Sequence, residues 1–331
     1  MDAHVAVIGA GSWGTALAHL VAPNVQKVTL IARSADQVRA INEERRNPKY
    51  LTGLELHPHL TASTSLADVQ GADVIVLGVP TSVTRDTAEQ LQALGLSSDT
   101  VLVSVAKGIE RGTGLRMSEV IQDVLPDHQV AVLSGPNHAE EVALELPTCT
   151  VIGAQNAEVA GRLQSLFASP TFRSYTSDDL IGIEWGGAIK NIFAIAAGIA
   201  AGLKLGDNAV SALVTRGLAE MTRLGSAFGA KEATFAGLSG VGDLMTTCFS
   251  PHSRNNQIGL ALAEGLTVEQ ACDRLGMVAE GVKNTQSIYE QAQEKGVDTP
   301  LISAVYAILY QGVKPQEALH ALFTRELKAE G

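Results

Sequence analysis

Cysteine and positive charge are both scarce in this sequence of 331 residues. The three cysteines, Cys149, Cys248 and Cys272, lie far apart and form no Cys-x-x-Cys pair, so neither a disulfide framework nor a zinc site is supported. We interpret them as reduced thiols of a cytoplasmic protein. Lys and Arg number 24 against 35 Asp and Glu, which gives a formal charge of −11. Nucleic acid is therefore not an expected partner, since its binding needs a basic surface.

Long uninterrupted hydrophobic segments are lacking too. Residues 3–26 carry no formal charge, but three glycines and Pro23 interrupt them and no cationic segment precedes them. The apolar run at 192–203 has only 12 residues and a lysine near each end. We therefore expect a soluble protein with no membrane insertion. A hydrophobic content of 46% predicts a sizeable core, and the length predicts two domains.

Short apolar runs alternate with helix-length segments in the first half of the chain. The predicted strands are Val5–Ile8, Val28–Ala32, Val74–Val79, Val101–Val105, Val130–Leu133 and Thr148–Ile152. Because these runs show little polar alternation, they indicate strands covered on both faces, as in a parallel sheet between helices. After residue 178 helical periodicity dominates. The predicted helices there are Leu180–Leu203, Asn208–Phe228, Asn256–Glu264, Val278–Lys295, Leu301–Tyr310 and Pro315–Leu322.

A glycine-rich turn follows the first predicted strand. Residues 5–14 read Val-Ala-Val-Ile-Gly-Ala-Gly-Ser-Trp-Gly, which is a strand, a G-x-G-x-x-G turn and the start of a helix. Gly9 permits the tight turn, Gly11 lets the backbone approach a pyrophosphate, and Gly14 lets the helix pack on the strand. The helix N-terminus adds unpaired N–H groups and a positive dipole end. We predict an α/β Rossmann-type dinucleotide-binding domain with a mainly parallel sheet at 1–178 and an all-α substrate domain at 179–331.

The end of the second predicted strand indicates which dinucleotide binds. NAD-selective sites usually place Asp or Glu there to hold the ribose 2′-hydroxyl. This chain has Arg33, whose guanidinium suits a 2′-phosphate through bidentate hydrogen bonds. We expect NADPH to be preferred and NADH to be possible, because Asp36 follows closely. The alternative is a solvated arginine at a strand end.

Polar residues follow two further predicted strands, at the sheet edge where open α/β sheets bind ligands. Lys107 comes after the strand at 101–105, and Gly135 and Asn137 come after the strand at 130–133. Lys107 would supply positive charge there, and the other two would supply backbone and amide contacts. An exposed loop lysine is the competing interpretation.

Lys190 and Asn191 lie in the stretch 185–198 of a predicted helix, where all the other residues are apolar or glycine. A lysine in such a helix must either extend its amine to solvent or pair with an anion. Asp243 ends the glycine-rich segment 237–243 and has two possible roles. It caps a helix, or it faces Lys190 as the anion that orients a proton donor.

A hydroxyl, a guanidinium and an amide follow one another at Ser253, Arg254 and Asn255. This composition suits a phosphate monoester, which is bound by bidentate arginine and short donors. The neighbouring His252, like His138, is interpreted as a loop histidine rather than a general acid.

These residues together resemble the bacterial soluble NAD(P)-dependent glycerol-3-phosphate dehydrogenase family over essentially the whole chain. The motifs that carry the resemblance are Gly9-Ala-Gly-Ser-Trp-Gly-Thr-Ala16, Ala106-Lys-Gly-Ile-Glu110, Ser134-Gly-Pro136, Ala188-Ile-Lys-Asn191, Gly240-Val-Gly-Asp243, Ser253-Arg-Asn255 and Glu280-Gly281. The resemblance implies reduction of dihydroxyacetone phosphate to sn-glycerol 3-phosphate, the entry to phospholipid synthesis. It also implies a cytoplasmic enzyme that forms a homodimer.

The resemblance further implies roles for individual residues. Lys190 would donate the proton to the substrate oxygen, with Asp243 and Lys107 as further catalytic residues. The implied substrate contacts are Lys107, Gly135, Asn137, Lys190, Asn191, Asp243, Ser253, Arg254 and Asn255. The implied dinucleotide contacts, besides Gly9, Gly11 and Gly14, are Ser12, Trp13, Arg33, Lys107, Ala139, Arg254, Val278 and Glu280. Family members commonly have a small hydroxyl residue at position 137, so Asn137 departs from the pattern. No metal is expected.

Two other functions stay open at the level of sequence. A dehydrogenase of the β-hydroxyacid type also pairs a cofactor domain with a helical domain and can use Lys-Asn on a helix. A dinucleotide sensor would bind the cofactor without chemistry. The turn at 253–255 favours a phosphorylated substrate, and a sensor needs no buried Lys–Asp pair.

Overall fold

The computed structural model of the protein describes residues 1–276, 279–326 and 329. The chain divides into two compact units. The first comprises Met1–Glu110 and Leu115–Glu184, and the second comprises Arg111–Gly114 and Trp185–Gly331. The domain limits 1–178 and 179–331 stay predictions.

An eight-stranded sheet forms the centre of the first unit. Its strands are β1 His4–Ile8, β2 Lys27–Ile31, β3 Leu60–Ser63, β4 Val74–Leu77, β5 Val101–Ser104, β6 Val130–Ser134, β7 Thr148–Ala154 and β8 Phe172–Ser177. They are ordered β3-β2-β1-β4-β5-β6-β7-β8. Neighbouring strands run parallel except β6 and β7, which pair antiparallel. The predicted α/β fold with a mainly parallel sheet is confirmed.

The two strands that the sequence analysis missed, β3 and β8, are the two edges of this sheet. Their side chains alternate between buried and exposed, as in Leu60-Thr61-Ala62 and Phe172-Arg173-Ser174. A search for unbroken apolar runs finds strands that are covered on both faces. Edge strands with one solvated face therefore escape it.

Helices of the first unit cover both faces of the sheet. They are α1 Ser12–Val21, α2 Ala35–Glu44, α3 Thr84–Ala93, α4 Met117–Val124, α5 Ala139–Ala143 and α6 Ala157–Leu166. Successive residues of β1 enter two different core clusters, with Val5 and Val7 in one and Ala6 and Ile8 in the other. This is the alternation of side chains across a strand, with apolar residues required on both sides.

The described part of the chain after residue 184 forms helices and no strands, so the predicted helical second half is confirmed. The helices are α7 Leu180–Gly202, α8 Asp207–Ala227, α9 Glu232–Phe235, α10 Asp243–Phe249, α11 Arg254–Ala263, α12 Val268–Leu275, α13 Glu280–Glu294, α14 Pro300–Tyr310 and α15 Pro315–Phe323. A π-helical turn at Leu238–Gly242 precedes α10. The sequence analysis missed α9, this turn, α10 and α12, which are all short. It began α13 at Val278, which lies outside the described residues.

Helix α7 is long and apolar enough, by length and composition, to cross a membrane, and 89% of its most apolar stretch is buried inside the protein. Burial of this kind characterises a core helix. The sequence analysis considered only its second half as an apolar run. The whole helix has 23 residues.

Small residues bring α7 and α11 into backbone contact. A Cβ atom on Gly198 would overlap the carbonyl oxygen of Asn256, and one on Gly259 would overlap the carbonyl oxygen of Ile195. Near the start of α7, a Cβ on Gly186 would overlap the carbonyl oxygen of Ser239 in the π-helical turn. At Gly186 and at Gly198, α7 therefore packs directly on the backbone of its neighbours, without an intervening side chain.

Candidate active site

The glycine turn after β1 has the geometry of a phosphate-binding loop. Gly9 has φ +109°, a conformation that glycine adopts without strain. A Cβ there would also lie 2.5 Å from the carbonyl oxygen of Gly78, which follows β4. A Cβ on Gly14 would overlap the carbonyl oxygen of Gly9. A side chain is therefore excluded at both positions, and the first-strand turn is as compact as the motif predicts.

Gly11 is the N-cap of α1, and a Cβ built on it would meet no atom within 4 Å. Ser12 and Trp13 form the first turn of this helix, and both are half-buried. The first N–H groups of a helix lack intrahelical partners and carry the positive end of its dipole. A compact turn, open space at Gly11 and a helix N-terminus fit the pyrophosphate of a dinucleotide.

Arg33 lies exposed just after β2, where the sequence analysis placed it for a 2′-phosphate. Asp36 lies in the first turn of α2 and forms an exposed ion pair with Arg39 at 2.9 Å. Ala139, another predicted dinucleotide contact of this unit, is the buried first residue of α5.

The carboxyl ends of β5 and β6 bring Lys107, Gly135 and Asn137 together. Lys107 Nζ donates to the carbonyl oxygen of Gly135 at 3.0 Å and to Asn137 Oδ1 at 3.1 Å. Asn137 Nδ2 in turn donates to Thr150 Oγ1 at 3.0 Å. Lys107 is half-buried, so it is not the freely exposed loop lysine of the competing interpretation. Thr150, on β7, was not considered in the sequence analysis.

The Lys190 ammonium group is buried in the second unit, where the residue is only 5% exposed. Its Nζ donates a short hydrogen bond to Asp243 Oδ1 and another to Thr247 Oγ1 at 2.6 Å. Asp243 is 1% exposed. Of the two sequence interpretations of Lys190, the ion pair is therefore right, and extension of the amine to solvent is wrong.

Asp243 is the first residue of α10, and Gly242 occupies the N-cap position. The N-cap interpretation of Asp243 is therefore wrong, and its carboxylate pairs with Lys190 instead. Thr247 lies one turn further along α10 and donates its own hydroxyl proton to the backbone oxygen of Asp243 at 2.6 Å. The sequence analysis missed Thr247, although its spacing of four residues from Asp243 places both on one helix face.

Cys248 is the buried thiol nearest this pair in sequence. Desolvation by burial, the largest effect, raises the pKa of the thiol to about 12. The thiol therefore stays neutral near pH 7 and adds no negative charge beside Lys190.

Asn191 and Asn255 are joined by an amide hydrogen bond. Asn255 Nδ2 donates to Asn191 Oδ1 at 2.9 Å, and Asn255 Oδ1 accepts from the backbone N–H of Gly281 at 3.1 Å. A Cβ on Gly281 would lie 2.5 Å from Asn255 Oδ1, so this position has room only for glycine. The two asparagines link α7 to the starts of α11 and α13.

The segment at 253–255 is the start of a helix and not an isolated turn, which corrects the sequence analysis. Ser253 is the N-cap of α11, and its Oγ accepts from the backbone N–H of Asn256 at 3.2 Å. Arg254 occupies the first turn and is exposed, while Ser253 and Asn255 are buried. His252 is exposed, as expected. Glu280 begins α13 and is half-buried, and Val278 lies outside the described residues.

A buried acid on α7 was also missed. Glu184 accepts from Arg116 Nη1 at 2.5 Å and from the backbone N–H and hydroxyl of Ser118 at 2.8 and 2.6 Å. Desolvation raises the pKa of Glu184, and the charge of Arg116 opposes that shift. In sequence this glutamate looks like an ordinary helical residue, so only the fold reveals it.

Among residues 1–276, 279–326 and 329, no group of three or more His, Cys, Asp or Glu side chains is placed to hold a metal ion. The charged groups of the candidate site are organic cations and carboxylates. A parallel α/β unit with a dinucleotide turn and a helical unit with a buried ammonium–carboxylate pair define the class of two-domain dinucleotide-dependent oxidoreductases.

Comparison with known proteins narrows this class to one family. Residues 4–160 match the sequence model of the NAD-dependent glycerol-3-phosphate dehydrogenase N-terminus, and residues 179–320 match that of the C-terminus. The chain belongs to the NAD-dependent glycerol-3-phosphate dehydrogenase family. A glycerol-3-phosphate dehydrogenase [NAD(P)+] of Thermobifida fusca is 49% identical over 330 residues, which cover 98% of each chain.

Solved structures agree with this assignment. The crystal structure of glycerol-3-phosphate dehydrogenase from Coxiella burnetii is similar with a TM-score of 0.93 and 38% identity, covering 98% of this chain and 99% of that one. A ketopantoate reductase from Ralstonia eutropha has a TM-score of 0.64 and 20% identity, covering 96% of this chain and 100% of that one. The second likeness shows the fold alone. The β-hydroxyacid alternative is therefore not favoured.

Proposed function

We propose that this chain catalyses the reversible reduction of dihydroxyacetone phosphate to sn-glycerol 3-phosphate, with NADPH preferred and NADH usable. Family membership supports the reaction, and relatives named glycerol-3-phosphate dehydrogenase [NAD(P)+] support the use of both dinucleotides. The exposed Arg33 after β2 supports the preference for NADPH. The observation that carries the proposal is the buried Lys190 ammonium held by Asp243 and Thr247.

Lys190 is assigned as the general acid. The dinucleotide, when bound, supplies a hydride to the carbonyl carbon of the substrate. The π electrons of the carbonyl then move onto its oxygen, and the Lys190 ammonium stabilises the developing negative charge. Lys190 donates an Nζ proton to this oxygen and becomes a neutral amine, which regains a proton from solvent. In the reverse direction the neutral amine accepts the hydroxyl proton.

Asp243 and Thr247 keep the ammonium group in one orientation. Both accept from Lys190 Nζ, and Thr247 is itself fixed to the backbone of Asp243. A proton donor held by two acceptors loses little freedom when it meets the substrate oxygen. A buried lysine fixed by an aspartate and a threonine is therefore better explained by catalysis than by dinucleotide sensing.

Lys107, Gly135 and Asn137 are assigned to the substrate, and Lys107 also to the dinucleotide. The contact of Lys107 with the other two supports this assignment, because all three follow strands at the ligand-binding edge of the sheet. Asn137 replaces the small hydroxyl residue common in the family. Its hydrogen bond to Lys107 supports a role in positioning that amine.

Ser253, Arg254 and Asn255 are assigned to the substrate phosphate. Arg254 lies in the first turn of α11, where the positive end of the helix dipole also favours an anion. Asn191 holds the side chain of Asn255 and so helps to fix this turn. Phosphate binding away from the reacting carbon would orient the carbonyl for hydride transfer.

We further propose a cytoplasmic homodimer whose product enters phospholipid synthesis. The resemblance to the bacterial family supports both statements. The three free cysteines support a reducing compartment.

The test is an assay of NADPH oxidation with dihydroxyacetone phosphate as the sole acceptor. The loss of the near-ultraviolet absorbance of NADPH measures the rate. We expect turnover with this ketone and little turnover with unphosphorylated dihydroxyacetone or with ketopantoate, because both lack the phosphate group. Comparable rates with the unphosphorylated ketone would contradict the phosphate assignment. Turnover with ketopantoate alone would support a β-hydroxyacid enzyme, and binding of NADPH without turnover of any acceptor would support a sensor.

A further inference from the structure

A single buried asparagine connects the segment after α2 to the glycine turn. Asn47 is 1% exposed and lies between α2 and β3. Its Nδ2 donates to the carbonyl oxygen of Ala10 at 3.2 Å and to Thr15 Oγ1 at 2.8 Å. Ala10 is the residue between the two glycines Gly9 and Gly11 of the turn. Asn47 therefore contacts both the turn and the first helix that follows it.

The side-chain oxygen of Asn47 also makes hydrogen bonds, and it accepts three of them. Asn47 Oδ1 accepts from the backbone N–H groups of Lys49 and Tyr50 at 3.1 and 3.2 Å, and from Gln37 Nε2 at 3.1 Å. Exchanging the amide oxygen and nitrogen would place donors against donors at all three contacts. The orientation of the amide is therefore determined by its surroundings.

The Ala10 carbonyl receives a second side-chain donor, Gln37 Nε2, at 2.8 Å. In a trans peptide the carbonyl and the next N–H point in opposite directions. Holding the Ala10 oxygen on the side of Asn47 therefore directs the Gly11 N–H to the other side of the peptide. Gly11 is the position at which the backbone approaches a pyrophosphate in a turn of this kind.

We propose that Asn47 is a positioning residue for dinucleotide binding, which fixes the Ala10–Gly11 peptide in the orientation that the pyrophosphate requires. The inference rests on the proposed function, since it concerns the dinucleotide of that reaction. It explains why a residue 36 positions after Gly11 carries five hydrogen bonds in a buried site.

Asn47→Ala and Asn42→Ala form a matched pair of variants for the test. Asn42 lies on α2, and its side chain makes two hydrogen bonds to the backbone of Ala62. Its Oδ1 accepts from the N–H at 2.7 Å, and its Nδ2 donates to the carbonyl oxygen at 3.0 Å. Those bonds link α2 to β3 and do not reach the glycine turn. Both variants are expected to lower the unfolding temperature, which controls for general loosening of this region.

The readout is the Kd of NADPH by fluorescence titration, together with kcat and KM for both substrates. We expect Asn47→Ala to raise the Kd and KM of NADPH by about tenfold, the scale of a lost buried hydrogen bond. The kcat at saturating NADPH and the KM of dihydroxyacetone phosphate should change less than about twofold, since Lys190 is untouched. Asn42→Ala should leave the Kd within about twofold of the parent value.

A Kd of NADPH unchanged in Asn47→Ala, or raised equally in Asn42→Ala, would overturn the inference. If Asn47→Ala does not fold, Asn47→Asp decides, because it retains the oxygen that accepts from Lys49 and Tyr50 but cannot donate to Ala10. A Kd of NADPH above the parent value in folded Asn47→Asp supports the inference. A Kd equal to that of the parent overturns it. Failure of the proposed function is distinguishable, because the parent would then bind NADPH without reducing dihydroxyacetone phosphate.

Discussion

Replacement of Lys190 by methionine should separate catalysis from folding. Methionine keeps the unbranched shape of the lysine side chain up to Cε but removes the ammonium group, which leaves the Asp243 carboxylate, 1% exposed, without this cation. Breaking a buried ion pair by removing one partner costs about 3–5 kcal/mol of unfolding free energy. Loss of a general acid lowers kcat by roughly 10²–10⁴-fold. We therefore expect Lys190→Met to be both destabilised and nearly inactive.

The double variant Lys190→Met/Asp243→Leu distinguishes the two effects. Replacing both members of a buried pair by apolar residues of similar size is often neutral or stabilising, by up to about 4 kcal/mol. Thr247 keeps its hydrogen bond to the backbone of residue 243, so no new unpaired hydroxyl is created. The double variant should regain most of the lost stability while staying as inactive as the single variant.

Urea unfolding monitored by tryptophan fluorescence and the NADPH oxidation assay measure these two quantities. Lys204→Met is the matched control, since Lys204 is exposed just beyond α7 and should alter neither. Retention of near-parental kcat in Lys190→Met would remove this lysine from the mechanism. Recovery of activity in the double variant would show that the single variant had failed through instability alone.

Three further predictions concern other groups. Arg254→Ala should raise the KM for dihydroxyacetone phosphate by about tenfold or more with a smaller change in kcat, because a phosphate contact is lost; an unchanged KM would remove Arg254 from the phosphate site. Arg33→Asp should shift the ratio of kcat/KM values from NADPH toward NADH, and unchanged selectivity would refute the role of Arg33. Glu220 accepts from the N–H groups of Leu301 and Ile302, and burial raises its pKa to about 7 from an ordinary 4.5. The folded protein therefore binds the proton of Glu220 more tightly than the unfolded chain does. This adds about 3 kcal/mol to the free energy of unfolding below about pH 4.5, and the gain is lost as the pH rises to about 7. Glu220→Gln should flatten this part of the pH profile of thermal stability, and an equally steep profile in the variant would refute the assignment.

The central sheet and the glycine turn could be predicted because both are local patterns. A strand covered on two faces must be apolar throughout, and a turn with φ above zero at Gly9 requires glycine. The edge strands β3 and β8 could not be found in the same way, since half of their residues face solvent. Their pairing depends on tertiary position and not on composition.

The candidate site was predictable in its parts and not in its pairings. Lys190 and Asp243 each stand out in sequence, but they are 53 residues apart, and an aspartate before a helix looks the same whether it caps or pairs. Thr247 becomes informative only after the partner of Asp243 is known. Asn47 has no signal of its own, because only the folded chain brings it to its partners, which are three backbone groups and the side chains of Thr15 and Gln37.

The backbone contact between α7 and α11 has a consequence for anyone who alters this protein. Exchanging a helical glycine for alanine ordinarily adds about 0.5–1 kcal/mol of stability, so Gly198 and Gly259 look like obvious targets for thermostabilisation. Where α7 contacts α11, an added methyl group would overlap the backbone of the facing helix. It would therefore push α7, which carries Lys190, away from α11, which begins at Arg254. A library that permits alanine at these two positions should therefore recover glycine under selection.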